Sequence, residues 1–160
     1  MWRRVLTVPL VPEAVRQARH DTTTALSEYG LRPDSAFAGA ALPAVSELVA
    51  NAVRHAADQS PTADVTIAAG DGQLVVGVAD QAPRLPVPSP AGVGDGLRTV
   101  ADLAAAYGGT LTVEPAVHGC GILSCCTGVR SAGRSKWSCR RRRHPAALCS
   151  CRTAPRSARR

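Results

Sequence analysis

The apolar positions of the chain change their spacing several times between residues 1 and 57. Val5–Val8 is a short β-prone run ended by a proline, which predicts a strand at a sheet edge. Apolar residues then recur at helical spacing over 13–29, with Gly30 as the stop, and again after a possible cap at Asp34 or Ser35. The second helix is clearest over Leu42–Ala57, where Pro43 indicates a fresh start or a kink.

Later segments alternate as strands before helical spacing returns. Two alternating runs flank an Asp-Gly turn signal, and a long Pro- and Gly-rich loop separates them from a third helix and a further strand. These segments are Ala63–Ala69, Leu74–Ala79, the loop Gln81–Gly96, the helix Leu97–Tyr107 and the strand Thr110–Glu114. The order predicts an α+β fold, a two-layer sandwich with helices on one face of a mixed, mostly antiparallel sheet.

Charge and cysteine are distributed unevenly. Residues 1–119 hold eight arginines and all 12 acidic residues, a net charge of −4, whereas residues 120–160 hold the other 11 basic residues and no acid. All six cysteines lie in that tail. We therefore predict one domain over 1–121 and a disordered basic Cys/Arg-rich extension over 122–160. No apolar run is long enough to span a membrane, so a cytoplasmic protein is expected.

One helical face carries the first candidate for chemistry. Glu47, Asn51 and His55 are spaced by four and share one edge of the second helix, beside its apolar stripe. An amide oxygen suits Mg²⁺, and a carboxylate one turn away can orient or deprotonate a hydroxyl. A polar rim on an ordinary amphipathic helix is the alternative reading of the same pattern.

Two later features could complete a nucleotide site. Asp80 directly follows a strand, where a buried carboxylate can accept a hydrogen bond from an exocyclic amine such as that of adenine. An ordinary turn aspartate is the alternative. Gly92, Gly94 and Gly96 precede a helix, where glycine backbones and the helix N-terminus favour phosphate, although a flexible loop would look similar.

The order of these features resembles the histidine-kinase-like (GHKL, Bergerat-fold) ATPase family. More narrowly it resembles the anti-sigma-factor serine kinase and regulatory ATPase branch of actinomycete type. The resemblance rests on three segments, Ser46–Ala56, Val76–Pro83 and Gly94–Gly108. It implies ATP and Mg as cofactors, Asn51 as the Mg ligand, Glu47 as the general base and Asp80 as the adenine-binding carboxylate. Further ATP-binding residues that it implies are Pro83, Gly92, Gly94, Gly96 and Leu97, with 81–92 as a lid.

The chain departs from this pattern at one position. Kinases of the branch carry an arginine just before the glycine box, where this chain has Pro90, Ala91 and Gly92, and the nearest candidates are Arg84 and Arg98. The resemblance therefore leaves two functions open. One is a kinase that phosphorylates an anti-sigma antagonist, and the other is a non-catalytic ATP-binding or sigma-factor-binding module. His55 is expected to be a surface or packing histidine.

The resemblance implies a sigma factor or its antagonist as a partner, and it allows a homodimer. The tail has three interpretations: a zinc site, for which the cysteine spacing is wrong; a basic nucleic-acid-binding arm; or a disordered end produced by a frameshift. The last is favoured, because the loss of acids and gain of Arg and Cys are abrupt. Within the tail, Ile122–Cys126 could supply a short strand.

Overall fold

The computed structural model describes residues 1–70, 72–82, 95–115 and 121–128, without the side chains of residues 37, 95, 114, 115 and 121–128. These ranges contain five strands and three helices. In chain order they are β1 (Trp2–Pro9), α1 (Ala14–Glu28), α2 (Ala36–Ala56), β2 (Thr62–Gly70), β3 (Gln73–Asp80), α3 (Asp95–Ala106), β4 (Thr110–Pro115) and β5 (Gly121–Gly128).

The five described strands form one sheet in the order β1-β2-β3-β5-β4, and every pairing among them is antiparallel. The α+β prediction is confirmed, although no parallel pair occurs among these strands. Strand β1 lies at an edge, as its proline predicted. The expected strand at Ile122–Cys126 is present as β5, and it lies between β3 and β4. The sheet therefore includes residues up to Gly128, beyond the boundary predicted at residue 121.

The helices cover one face of this sheet. Leu74, Val76 and Val78 alternate along β3 and are buried against α2, whereas Val75 on the opposite face is half-buried. Helix α2 also packs against α1 and α3. The core is built mainly from Ala, Val and Leu, with Leu26, Leu48, Ile67 and Leu74 as its largest fully buried side chains. Because the core has few aromatic residues, it is filled by small and medium-sized aliphatic side chains. Close packing with such side chains requires the helices to lie near the sheet, and the small alanines allow this.

Helix α2 is continuous through Pro43, so of the two predicted alternatives, a fresh start or a kink, the fresh start is wrong. The proline ring removes one backbone hydrogen bond, the one that residue 43 would donate to the Gly39 carbonyl. Buried alanines and valines on both sides of it, including Ala40 and Val45, keep the helix in the core despite that loss. Ser35 begins the helix as predicted, since its hydroxyl accepts a 3.3 Å hydrogen bond from the Ala38 N–H.

Helix α3 begins at Asp95, two residues earlier than its apolar pattern predicted, so Gly96 lies in its first turn. Its C-terminus is closed by Gly108, which has a φ of 72°. The N–H groups of Gly108 and Gly109 donate to the carbonyls of Ala105 and Ala104, the pattern of a Schellman motif. Most of the predicted long loop, residues 83–94, lies outside the described ranges. Among the described helices, none combines the length and apolarity needed to cross a membrane.

Candidate functional site

The C-terminal half of α2 presents three candidate site side chains along one line. Glu47, Asn51 and Arg54 are separated by four and three residues, so they project from neighbouring positions on successive turns. Asn51 is only 7% exposed. No side-chain hydrogen bond between described residues involves its carboxamide. A carboxamide at this position presents an oxygen of the kind that suits a hard cation such as Mg²⁺.

The first turn of α3 lies directly against this line of side chains. A Cβ atom on Gly96 would overlap the Oε2 atom of Glu47 and would lie 3.4 Å from the Nη2 atom of Arg54. The Arg54 side chain folds back along α2, where its Nε donates a 3.2 Å hydrogen bond to the Ala50 carbonyl. Glu47, Arg54 and the N-terminus of α3 therefore meet at one point, where a carboxylate, a guanidinium and a positive helix end are combined.

Asp80 supplies a second carboxylate at the end of β3. It continues the alternation of Val76 and Val78, which places it on the sheet face that the helices cover. Its Oδ1 atom accepts a 3.0 Å hydrogen bond from the Ala82 N–H, and no described residue makes a further hydrogen bond to this carboxylate. Burial raises the pKa of the Asp80 carboxyl above its ordinary value, and the Ala82 hydrogen bond partly opposes that effect.

The topology brings Asp80 to the same end of the fold as Asn51. Helix α2 ends at Ala56, and a short connection leads into β2, whose Ala63 is the register partner of Asp80. The C-terminus of α2 and the end of β3 are therefore neighbours. Helix α2 thus contacts both α3, whose first turn lies against Glu47, and β3, which ends at Asp80.

The remaining predicted residues divide into three groups. The Leu97 side chain is buried in the hydrophobic core, so only its backbone could contribute to a ligand site. His55 and Arg98 are exposed, which confirms the expectation of a surface histidine. Four other predicted residues lie outside the described ranges: Pro83, Arg84, Gly92 and Gly94.

Two residues in this region were missed by the sequence interpretation. Arg54 follows Asn51 by three and Glu47 by seven, so helical spacing alone could have identified it. Ser60 is 1% exposed, and its hydroxyl bridges the start of β2 to the residue after Asp80. No sequence pattern indicates Ser60. Its partners lie two and 21 residues away along the chain, and the more distant one is brought to Ser60 by the β2–β3 hairpin.

The donors present fit a magnesium ion that is bound together with a nucleotide. The Asn51 carboxamide oxygen is a hard ligand, and Glu47 lies one turn away. Within the described ranges no three His, Cys, Asp or Glu side chains cluster as a metal site. The described residues thus offer few protein ligands for a metal. This is usual for Mg²⁺ sites in which phosphate oxygens and water complete the coordination.

A family model described as histidine kinase-like ATPase domain matches residues 8–114. This span is most of the chain and includes Glu47, Asn51, Asp80 and Gly96. The chain therefore belongs to the histidine kinase-like ATPase domain family. No curated protein matches it.

The fold is also similar to a solved structure, the RsbU and RsbW domains of Rv1364c from Mycobacterium tuberculosis. The TM-score is 0.59 and the sequence identity is 21%, over 80% of this chain and 32% of that chain. The present chain thus spans about a third of that longer protein. At this identity the match supports the fold, in agreement with the α+β architecture described above.

Proposed function

We propose that this protein binds Mg–ATP in the region between α2, the end of β3 and the N-terminus of α3, and transfers the γ-phosphoryl group to a serine of a protein antagonist. The observation that carries the proposal is the nearly buried Asn51 carboxamide, which lies one turn from Glu47, with Glu47 against the first turn of α3. Membership of a family named for its ATPase domain supports the choice of ATP.

The roles follow from the chemistry of each side chain. Asn51 holds Mg²⁺, which neutralises the developing phosphate charge when it is bound. Asp80 accepts a hydrogen bond from the adenine amine through its Oδ2 atom, the oxygen not bonded to Ala82. The N–H groups of the first turn of α3 and the Arg54 guanidinium face phosphate oxygens, for which a helix N-terminus and a planar cation are both suited.

Glu47 is the general base in this proposal. The serine oxygen attacks the γ-phosphorus, the bond from that phosphorus to the bridging oxygen breaks, and ADP leaves while Glu47 accepts the hydroxyl proton. The contact with Gly96 orients the Glu47 carboxylate. Arg54 offers a positive charge in a protein that lacks an arginine just before the glycine box, which supports transfer as well as binding.

The resemblance to anti-sigma-factor kinases supports a sigma factor or its antagonist as the partner, in the cytoplasm. Incubation of the protein with γ-labelled ATP and a candidate antagonist tests the proposal, with Glu47→Ala as the paired variant. Label on a serine that Glu47→Ala no longer transfers, with ATP affinity retained, is the expected result. Binding without any transfer by the parent protein would instead establish a non-catalytic ATP-binding module.

A further inference from the structure

Ser60 connects the two halves of the candidate site through a buried hydroxyl. Its Oγ donates a 2.6 Å hydrogen bond to the Thr62 carbonyl and accepts a 3.0 Å hydrogen bond from the Gln81 N–H. The Ser60 backbone N–H also donates to the carbonyl of Ala56, the last residue of α2, at 2.7 Å. One residue therefore touches the end of α2, the start of β2 and the exit of β3.

The bridge fixes the backbone on the far side of Asp80. On the near side Asp80 is held by the sheet, since it is paired with Ala63. Beyond Asp80 the regular pairing of β2 with β3 stops, and the Ser60 hydroxyl takes the Gln81 N–H instead. Ala82 then returns its own N–H to the Asp80 carboxylate. The carboxylate is thus oriented by a turn whose first residue depends on Ser60.

Burial makes this dependence strong. Ser60 is 1% exposed, so water has little access to replace the hydroxyl. Removing the hydroxyl would leave the Gln81 N–H and the Thr62 carbonyl without this partner, and buried backbone groups without partners are strongly disfavoured. The turn after Asp80 would move to recover a hydrogen bond, and the free carboxylate oxygen would move with it.

We propose that Ser60 is a positioning residue for base selectivity, which aims the Asp80 carboxylate at the exocyclic amine of the nucleotide base. This inference rests on the proposed ATP site. It assigns Ser60 no contact with the nucleotide, and it separates recognition of the base from recognition of the phosphates, which Asn51 on α2 serves.

The test compares ATP with purine riboside triphosphate, which lacks the exocyclic amine, by titration calorimetry. The parent protein is expected to prefer ATP by about tenfold or more, the effect of a hydrogen bond to a charged acceptor. Ser60→Ala should reduce that preference at least threefold and leave the affinity for purine riboside triphosphate nearly unchanged. Ser60→Thr, which keeps a hydroxyl, should retain the parent's preference for ATP.

Ser46→Ala is the matched control, because the Ser46 hydroxyl also accepts one hydrogen bond, from Arg19, and donates one, to the Leu42 carbonyl. It should leave the preference intact. Amide hydrogen exchange gives a second readout, in which the Gln81 N–H exchanges faster in Ser60→Ala. If Ser60→Ala does not fold, Ser60→Cys, with a weaker donor and acceptor, should show the same changes to a smaller degree.

Two outcomes separate the inference from the proposed function. A parent protein that binds neither nucleotide, or both equally, overturns the ATP site with Asp80 as its base contact. A parent protein that prefers ATP, with Ser60→Ala keeping the same preference, overturns the role of Ser60 alone.

Discussion

Gly96 in the first turn of α3 lies against the carboxylate of Glu47, so closely that any side chain at position 96 would occupy the place of the Glu47 Oε2 atom. The atom in the way is the end of a flexible side chain rather than backbone. An alanine at position 96 would therefore displace the carboxylate and leave the packing of the two helices in place.

Gly96→Ala should separate stability from function. Alanine in a helix is favoured over glycine by about 1 kcal/mol, so the variant should be as stable as the parent or slightly more stable. Phosphoryl transfer should fall by about tenfold or more, because the Glu47 carboxylate is moved from its position. Thermal unfolding and transfer from labelled ATP give the two values. An unchanged transfer rate would show that the Gly96 contact does not orient the base.

Asn51→Ala should abolish Mg–ATP binding. The variant removes the carboxamide that we assign to the metal and leaves Glu47 and the helix unchanged, since alanine is a good helix former. Titration calorimetry with ATP in the presence of Mg²⁺ measures the loss. An affinity within about twofold of the parent value would refute the assignment. A twofold change corresponds to a smaller free energy than that of one hydrogen bond to a charged group.

Arg54→Gln should weaken ATP binding by about tenfold or more, without a matching loss for adenosine. The guanidinium lies beside the first turn of α3, where we propose that it meets phosphate, and a charge-assisted hydrogen bond of this kind is among the stronger ones in proteins. Arg16→Gln is the control, because Arg16 is an exposed arginine on α1, to which no role in the site is assigned. Equal losses for ATP and adenosine in Arg54→Gln would indicate a general structural effect and contradict a phosphate contact.

Asp80→Asn should change which base the protein prefers. The carbonyl oxygen of the introduced carboxamide can keep the hydrogen bond from Ala82, and its NH₂ group then presents a donor where the carboxylate presented an acceptor. Affinity for ATP should fall, and affinity for inosine triphosphate, whose base carries a carbonyl at that position, should rise relative to it. Competition binding between the two nucleotides measures the change, and an unaltered ATP preference would remove Asp80 from the base contact.

The raised pKa of Asp80 adds a pH dependence to the same variant. The folded protein binds the Asp80 proton more tightly than the unfolded chain, so ionised Asp80 costs stability as pH rises through its folded-state pKa. The stability of Asp80→Asn relative to the parent should therefore increase from acidic to neutral pH. In the parent, ATP affinity should fall on acidification from above the ordinary aspartate value of 3.8, because a neutral carboxyl is a weaker acceptor for the amine than the carboxylate.

Thr22→Val should stabilise the protein without touching the site. The Thr22 side chain is fully buried in α1, and its hydroxyl has no hydrogen-bond partner within the described structure. Valine has nearly the same shape and lacks the unpaired polar atom, so a gain of about 1 kcal/mol is expected. Chemical denaturation measures it, and Thr22→Ser, which keeps the hydroxyl and loses a methyl group, should be less stable than the parent. A destabilised valine variant would show that the hydroxyl is paired in solution.

The sequence by itself determined the local structure and the helical edge on which the candidate site residues lie. Spacing of apolar positions placed the helices and strands, and the four-residue interval between Glu47 and Asn51 put both on one helical edge. The hairpin before Asp80 followed from its Asp-Gly turn and two alternating runs. These are properties of neighbouring residues, for which backbone geometry alone fixes which side chains share a face.

Only the tertiary structure decided which distant residues meet. The sequence pattern gives no distance between Glu47 and Gly96, or between Ser60 and Gln81. Those contacts depend on how the helices and strands pack against one another. The burial of Asn51 and the insertion of β5 between β3 and β4 were decided in the same way. Packing also overrode a local signal, since α2 continues through Pro43 while its flanking residues stay buried in the core.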